Sequence, residues 1–182
     1  MPACEPAQAS AAAGTVSQRI LLDALVVVAG RRLVLGADVA AAKFLSGQRI
    51  DDRVREQEIL ESVASRLKRA EPRRELGMEF FRDQIEANKV IQRGLHRYWR
   101  EHPGEFPVRR RDLTAELRPQ LDTVNRHILL LLIYMANIPP ARRSDIDGLF
   151  DRELRTSTAL RQLGQLRRHA ADIALRSLYR VL

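Results

Sequence analysis

The sequence predicts an all-α protein that folds as a single domain, and three observations support this fold class. Leucine, alanine and arginine dominate a chain in which hydrophobic residues make up 45% and aromatic residues only 5%. Apolar residues recur at three- and four-residue steps, whereas no segment shows the alternation of apolar and polar residues that is typical of strands. The 182 residues are enough to bury a core without disulfides or metal ions.

The charge of the chain is compatible with an anionic partner but does not identify one. The formal net charge is +8 and the sequence pI is about 10.6, with arginine supplying nearly all of the positive charge. The arginines alternate with acidic residues, which is typical of solvated helix faces rather than of a phosphate-binding stripe. Because few aromatic side chains are present to stack on bases, nucleic-acid binding is not expected.

Several other kinds of site are disfavoured by the residue types present. The single cysteine, Cys4, excludes an intrachain disulfide and a cysteine-rich metal site. The four histidines show no metal-ligand spacing, so we expect neither a metal ion nor another cofactor. No apolar run approaches the ~20 residues that a membrane-spanning helix needs.

The chain begins with a segment that lacks helical periodicity. Residues 1–15 are small and Ala-rich, and we interpret them as a flexible tail whose composition suits the region after a removed signal peptide. No basic start is followed by an apolar run, so an intact signal peptide is not expected. We interpret residues 16–182 as one helical domain, with 141–182 as a C-terminal helical extension.

The first predicted helix spans residues 17–45, and two cations lie on its apolar stripe. Arg32 and Lys43 are separated by eleven positions, close to three full turns, so both point to one side at about 16 Å along the axis. Long cationic side chains on a core-facing stripe require anions as partners. The helix therefore predicts an anion, from the protein or from a ligand, beside both residues.

The second predicted helix begins with Asp51 or Asp52 as its N-cap and ends near residue 70. Its first turns carry Asp52, Arg55 and Glu56. Taken alone, these residues are typical of ordinary N-terminal helix charges that pair one turn apart. The alternative is that they line the same site as the cations of the first helix.

The third predicted helix, residues 76–101, is the central element of the chain. Its inward-facing stripe comprises Phe81, Ile85, Asn88, Gln92 and Leu95. Asn88 and Gln92 place two neutral amides one turn apart, and a buried amide costs free energy unless it is hydrogen-bonded. The pair either fixes the register of packed helices or faces a polar ligand.

The fourth predicted helix spans residues 111–136, and Pro119 is expected to kink it or to delay its onset. Arg118 adjoins the apolar stripe of this helix. Residues 142–180 are predicted to form one or two Arg-rich amphipathic helices. No linker separates this extension from the preceding helices.

The polar residues that interrupt the apolar stripes form a strongly cationic set with two neutral amides. They are Arg32, Lys43, Arg55, Asn88, Gln92 and Arg118, with Glu56 beside them. The set contains no Ser-His-Asp or Cys-His pairing, no catalytic carboxylate pair and no Gly-rich phosphate loop. It suits a small dicarboxylate held by arginine forks, with chemistry that needs no proton shuttle.

In the spacing of these positions the chain resembles the all-helical (AroQ-type) chorismate mutases. The matching residues are Arg32 and Lys43 in RLVLGADVAAAK, Asp52, Arg55 and Glu56 in IDDRVRE, and Asn88 and Gln92 in DQIEANKVIQ. The resemblance covers residues 17–137. The length of the chain, and Arg118 in ELRPQLDTVN, resemble the secreted gamma subclass, in which one chain builds each site.

The resemblance implies an isomerase that rearranges chorismate to prephenate without a cofactor or a covalent intermediate. It implies that Lys43 and Gln92 donate to the ether oxygen and that Arg32 and Arg118 clamp the two carboxylates. It places Asp52, Arg55 and Glu56 around the ring hydroxyl, and Asn88 near a carboxylate. It also implies a homodimer and a periplasmic or secreted location. Some family members carry Glu in place of Gln92; an amide donates without titrating, so activity is expected to persist at neutral and mildly alkaline pH.

Two other functions remain open at the level of sequence. Isochorismate-pyruvate lyase shares the fold and a cationic helical pocket, although the C-terminal extension and Arg118 favour the mutase. A non-catalytic helical binding protein is the other alternative. Lys43 and Gln92 argue against it, because a descendant without catalytic activity need not retain them.

Overall fold

The computed structural model describes residues 6–70, 73–107, 110–135 and 137–182, with side chains from residue 14 onward. The described residues form helices and contain no strand, so the all-α prediction is confirmed. The helices are α1 (Pro6–Ser46), α2 (Arg53–Arg66), α3 (Arg73–Glu101), α4 (Arg118–Tyr134), α5 (Arg143–Leu154), α6 (Thr158–Gln162), α7 (Gly164–Ala174) and α8 (Arg176–Tyr179). A 3-10 turn at Pro103–Glu105 and a π-helical turn at Leu113–Leu117 lie between α3 and α4.

The core lies where α1 and α3 pack against each other and against α4, α5 and α7. Its largest buried side chains include Phe80, Phe81 and Trp99 from α3 and Phe150 from α5. The apolar residues of α1 are buried on more than one side, because α3, α4 and α5 contact it from different directions. The hydrophobic effect of this shared core holds the C-terminal helices against the first three.

Capping and turn residues set the helix ends close to those that the sequence predicts. The Asp52 side chain caps α2 by accepting a hydrogen bond from the backbone N–H of Arg55 at 3.1 Å. Gly47, directly after α1, has φ of +68°, a left-handed conformation that glycine adopts without steric cost. The predicted N-cap of the second helix is therefore confirmed at Asp52.

The fourth helix begins later than residue 111, the start that the sequence suggests. The Asp112 side chain accepts from the N–H groups of Thr114 and Ala115 and thereby caps a π-helical turn. The regular helix starts at Arg118, with Pro119 in its first turn, where the missing N–H of proline costs no hydrogen bond. The delayed onset expected from Pro119 is confirmed.

Two interpretations of the chain ends require correction. Helix α1 begins at Pro6, so residues 6–15 are helical although they lack periodicity; alanine has the highest helix propensity, and the segment continues directly into the packed part of α1. Cys4 and the rest of residues 1–5 lie outside the described residues. The C-terminal extension forms four helices rather than one or two, because Ser157 caps α6, the chain turns at Leu163 before Gly164, whose φ is +49°, and Leu175 lies between α7 and α8. Among the described residues, no helix combines the length and apolar character needed to cross a membrane.

Candidate active site

A pocket of about 700 Å³, including its open mouth, lies between α1, α2, α3 and the start of α4. All of the residues that the sequence singles out line this pocket: Arg32, Lys43, Asp52, Arg55, Glu56, Asn88, Gln92 and Arg118. The structure thus brings together side chains from four helices of one chain.

Arg32 is buried in the wall of the pocket, with 4% of its surface exposed. Its Nε donates to Asn125 Oδ1 at 2.9 Å and its NH1 donates to the backbone oxygen of Gln84 at 3.1 Å. No ion pair in the described part of the chain involves Arg32. Burial, with a smaller contribution from the positive charge of Arg55, lowers the pKa of Arg32 to about 10. Its charge is therefore buried without a counterion.

Lys43 is the second buried cation, with 7% of its surface exposed. Its Nζ donates to the backbone oxygen of Ile50 at 2.8 Å, which fixes the end of a long, otherwise mobile side chain. Burial lowers the pKa of Lys43, and the nearby charge of Arg118 lowers it further, while Asp52 and Glu56 oppose the shift. The ammonium group is thus held in place by a neutral oxygen.

The remaining charged residues are more exposed, and each is paired with a residue of opposite charge. Asp52 accepts from Arg118 NH2 at 3.4 Å, which joins the first turns of α2 and α4. Arg55 pairs with Glu58 at 3.2 Å and with Asp122. Because Asp52, Arg118 and Arg55 retain 28% to 38% side-chain exposure, these pairs add little stability and serve mainly to orient the side chains.

Glu56 is held from the opposite side of the pocket by a lysine that sequence reasoning did not single out. Lys89 on α3 donates to Glu56 at 3.0 Å and also pairs with Glu86 at 2.8 Å and Asp51 at 3.8 Å. Its position beside Asn88 in the sequence was the available signal. Lys89 belongs to the pocket lining and links α3 to the start of α2.

Asn88 and Gln92 are each 7% exposed, and their side-chain oxygens, Oδ1 and Oε1, are buried without a hydrogen-bond partner in the described structure. Leaving such an oxygen unpaired costs about 1–3 kcal/mol. Gly36 accommodates Asn88, because a Cβ at that position would lie 1.7 Å from Asn88 Oδ1. These side-chain oxygens can only accept hydrogen bonds, so the amide N–H groups of Asn88 and Gln92 are the donors available to an anionic ligand.

The pocket carries an excess of positive charge. Its lining includes five cations and two carboxylates, a net charge of +3 before any ligand binds. The cations are Arg32, Lys43, Arg55, Lys89 and Arg118, and the carboxylates are Asp52 and Glu56. The lining contains no Ser, His or Cys side chain among the described residues. Such a site fits a small dianion and a reaction that is accelerated by charge and positioning.

Sequence reasoning missed Asn125, which lies in the pocket wall and holds Arg32. It is 8% exposed and sits one turn after Leu121 on α4. The signal that could have identified it was an amide within an apolar stripe, the same signal that identifies Asn88 and Gln92. The wall of the pocket therefore contains three buried amide side chains, from two helices.

Comparisons with known proteins identify the family. No protein-family model matches the chain. The chain is 32% identical over 155 residues to a protein named secreted chorismate mutase from Mycolicibacterium smegmatis, with 84% of this chain and 83% of the relative covered. The structure resembles chorismate mutases from Burkholderia thailandensis (28% identity, TM-score 0.67, 87% and 98% covered) and Burkholderia phymatum (26%, 0.68, 89% and 98%). With this sequence relative and an all-helical fold, the chain belongs to the chorismate mutase family in its all-helical form.

Proposed function

We propose that this pocket binds chorismate and rearranges it to prephenate, and that the chain is an isomerase. The observation that carries the proposal is the group of buried polar side chains without ionic partners: Arg32, Lys43, Asn88 and Gln92. Chorismate carries two carboxylates and an ether oxygen. The site supplies cations for the two carboxylates and hydrogen-bond donors for the ether oxygen.

The two arginines in the clamp come from different helices. Arg32 on α1 and Arg118 at the start of α4 each bind one carboxylate, because a guanidinium matches the two oxygens of a carboxylate. Arg118 is also held by Asp52, which limits its motion before substrate binds. Together the arginines hold the two ends of the substrate in the folded conformer that reacts, a contribution of positioning.

The ammonium of Lys43 and the amide of Gln92 act on the ether oxygen. During the rearrangement the C–O bond breaks as a C–C bond forms, and negative charge accumulates on that oxygen. Donors fixed toward it stabilise the transition state more than the ground state. We expect these interactions to provide a rate enhancement at the low end of the enzymatic range, ~10⁶-fold or ~8 kcal/mol. Gln92 donates without titrating, so its contribution persists across neutral pH.

The other residues position the substrate's ring. Asp52, Arg55 and Glu56 lie at the start of α2 and line the side of the pocket assigned to the ring hydroxyl. Asn88 adds a hydrogen bond near one carboxylate. None of these steps transfers a proton to or from the protein.

The relative named secreted chorismate mutase supports a secreted location for this chain. We also propose a homodimer. Exposed apolar side chains in the first part of α1 and the last turns of α4, namely Val16, Ile20, Leu130, Ile133 and Tyr134, support self-association.

The proposed reaction is tested with purified protein at pH 7.5 by following the loss of chorismate absorbance and identifying the product by chromatography. We expect prephenate from the wild type and a loss of at least about 10²-fold in kcat/KM for Lys43→Ala, because one fixed donor to developing charge is worth that much. Lys68→Ala is the matched control, because Lys68 is exposed and lies outside the pocket.

The same assay separates the alternatives. Inactivity on chorismate, with release of pyruvate from isochorismate, would identify the lyase instead. Inactivity on both compounds would leave a binding protein. A Lys43→Ala variant as active as the wild type would remove Lys43 from the mechanism even if prephenate is formed.

A further inference from the structure

Arg32 is held from two sides by oxygens that carry no formal charge. Asn125 Oδ1 on α4 accepts from Nε at 2.9 Å, and the backbone oxygen of Gln84 on α3 accepts from NH1 at 3.1 Å. A buried arginine ordinarily needs a carboxylate to offset the loss of hydration. Arg167, equally buried, has one: Asp151 lies 3.0 Å from its Nε.

We propose that Asn125 is a positioning residue for Arg32, and that its neutrality leaves the charge of Arg32 available for a substrate carboxylate. This inference rests on the proposed function. A carboxylate in the same place would hold Arg32 equally well, but it would compensate the charge and repel an incoming carboxylate. The amide fixes the guanidinium without taking that charge.

The geometry also indicates which edge of Arg32 faces the substrate. The guanidinium has five N–H donors in a rigid plane. Asn125 takes the donor on Nε and Gln84 takes one of the two on NH1, which leaves one donor on NH1 and two on NH2. A carboxylate is therefore expected to bind Arg32 through NH2, because the side-on arrangement across Nε and NH2 is already taken at Nε.

The surroundings of Asn125 explain why its side chain is able to fix Arg32. Asn125 is 8% exposed and lies in the middle of α4, one turn before the buried Leu129. Its backbone is part of the regular helix, so its side chain has few alternative rotamers. The amide is thus pre-organised, and Arg32 loses no further freedom when the substrate arrives.

Two substitutions test the proposal. Asn125→Asp keeps the acceptor and adds a negative charge, whereas Asn125→Ala removes the acceptor and stays neutral. We expect KM for chorismate to rise about tenfold or more in Asn125→Asp and by a smaller factor in Asn125→Ala, with kcat less affected than KM in Asn125→Asp, because ground-state carboxylate binding is weakened. Asn137→Asp is the matched control, because it makes the same chemical change at an exposed residue outside this pocket.

The stabilities of Asn125→Asp and Asn125→Ala are expected to rank in the opposite order to their affinities for chorismate. In Asn125→Asp the introduced carboxylate pairs with Arg32, so its urea midpoint is expected to equal or exceed that of Asn125→Ala. A purely structural role for Asn125 makes the two rankings the same, and that result overturns the proposal. An Asn125→Asp variant with wild-type KM also overturns the proposal. The proposal also fails if Asn125→Asp does not fold and Asn125→Ala has wild-type kinetics. A wild type inactive on chorismate would instead show that the proposed function has failed, and this inference would fail with it.

Discussion

Arg32 and Arg167 are both buried arginines in the same helical domain, yet their surroundings differ in one respect. Arg32, 4% exposed, has only neutral partners, the oxygens of Asn125 and Gln84. Arg167, 6% exposed, donates to the carboxylate of Asp151 at 3.0 Å and to two backbone oxygens of the α6 region. The first faces the pocket; the second joins α7 to α5 and α6.

The pairing of Arg167 is that of a structural ion pair. Burial alone would raise the pKa of Asp151, but the hydrogen bonds and charges of Arg155 and Arg167 outweigh it and lower that pKa. The charge of Arg32 has no such partner in the described structure, and burial lowers its pKa to about 10. We infer that a buried cation with a counterion from the protein has a structural role. Where the fold supplies none, a ligand is the expected anion.

The largest effect on activity is expected from substituting Arg32. Arg32→Met should lower kcat/KM for chorismate by about 10²–10³-fold, because a fixed cation for one carboxylate is removed. The free energy of unfolding should change by no more than about 1 kcal/mol, because the lost hydrogen bonds are offset by removing an uncompensated buried charge. Steady-state kinetics and urea unfolding of the same sample measure both.

Arg31→Met is the control for the Arg32 substitution. Arg31 is exposed, and its ion pair with Glu153 lies away from the pocket lining. The control should keep wild-type kinetics. An Arg32→Met variant that loses several kcal/mol of stability, while retaining activity per folded molecule, would assign Arg32 to the same structural class as Arg167.

The next largest effect is expected from substituting Arg167, which should lower stability and leave activity nearly unchanged. Arg167→Met should reduce the free energy of unfolding by about 2 kcal/mol, because Asp151 and the backbone oxygens of Leu160 and Arg161 lose a buried donor. This loss is smaller than the roughly 3–5 kcal/mol expected for a fully buried pair, because Asp151 is 34% exposed and keeps Arg155. The kcat/KM of the folded protein should stay within about threefold of the wild type. Arg168→Met, at an exposed neighbour, should change neither quantity.

The stability loss at Arg167 should also depend on pH. The pKa of Asp151 is lowered in the folded protein, so its stabilising contribution is complete above the ordinary value near 3.9 and is lost as pH falls through the lowered value. The difference between the wild type and Arg167→Met should therefore be largest above about pH 5 and shrink toward pH 3. A difference that grows toward acid would contradict the ion-pair account.

Sequence reasoning found the candidate site because polar residues interrupt apolar helix stripes, and helical periodicity alone places such residues on one face. It singled out Arg32 and not Arg167, but it could not establish that Arg32 lacks a counterion and that Arg167 has one. Their difference depends on whether a carboxylate from another helix reaches them. Asp151 is sixteen positions from Arg167 and on a different helix, so helical spacing does not reveal the pair.

The parts of the fold that sequence did not predict have local physical causes. The π-helical turn before α4 depends on the Asp112 cap and its hydrogen bonds, which follow no periodic pattern. Helix α1 extends to Pro6 through an Ala-rich segment, where propensity rather than an apolar stripe favours the helix. Asn125 carries a sequence signal, an amide within an apolar stripe, but its contact with Arg32 on another element cannot be read from helical spacing.

The most direct test of the comparison is the stabilisation of each variant by a dicarboxylate ligand. Unfolding midpoints of the wild type, Arg32→Met and Arg167→Met are measured with and without prephenate, because a ligand that binds only the folded state raises stability by RT ln(1 + [L]/Kd). We expect Arg167→Met to gain as much as the wild type, about 2.7 kcal/mol at a hundredfold excess over Kd, and Arg32→Met to gain far less. Equal gains in both variants would contradict the account that Arg32 holds its charge for a ligand.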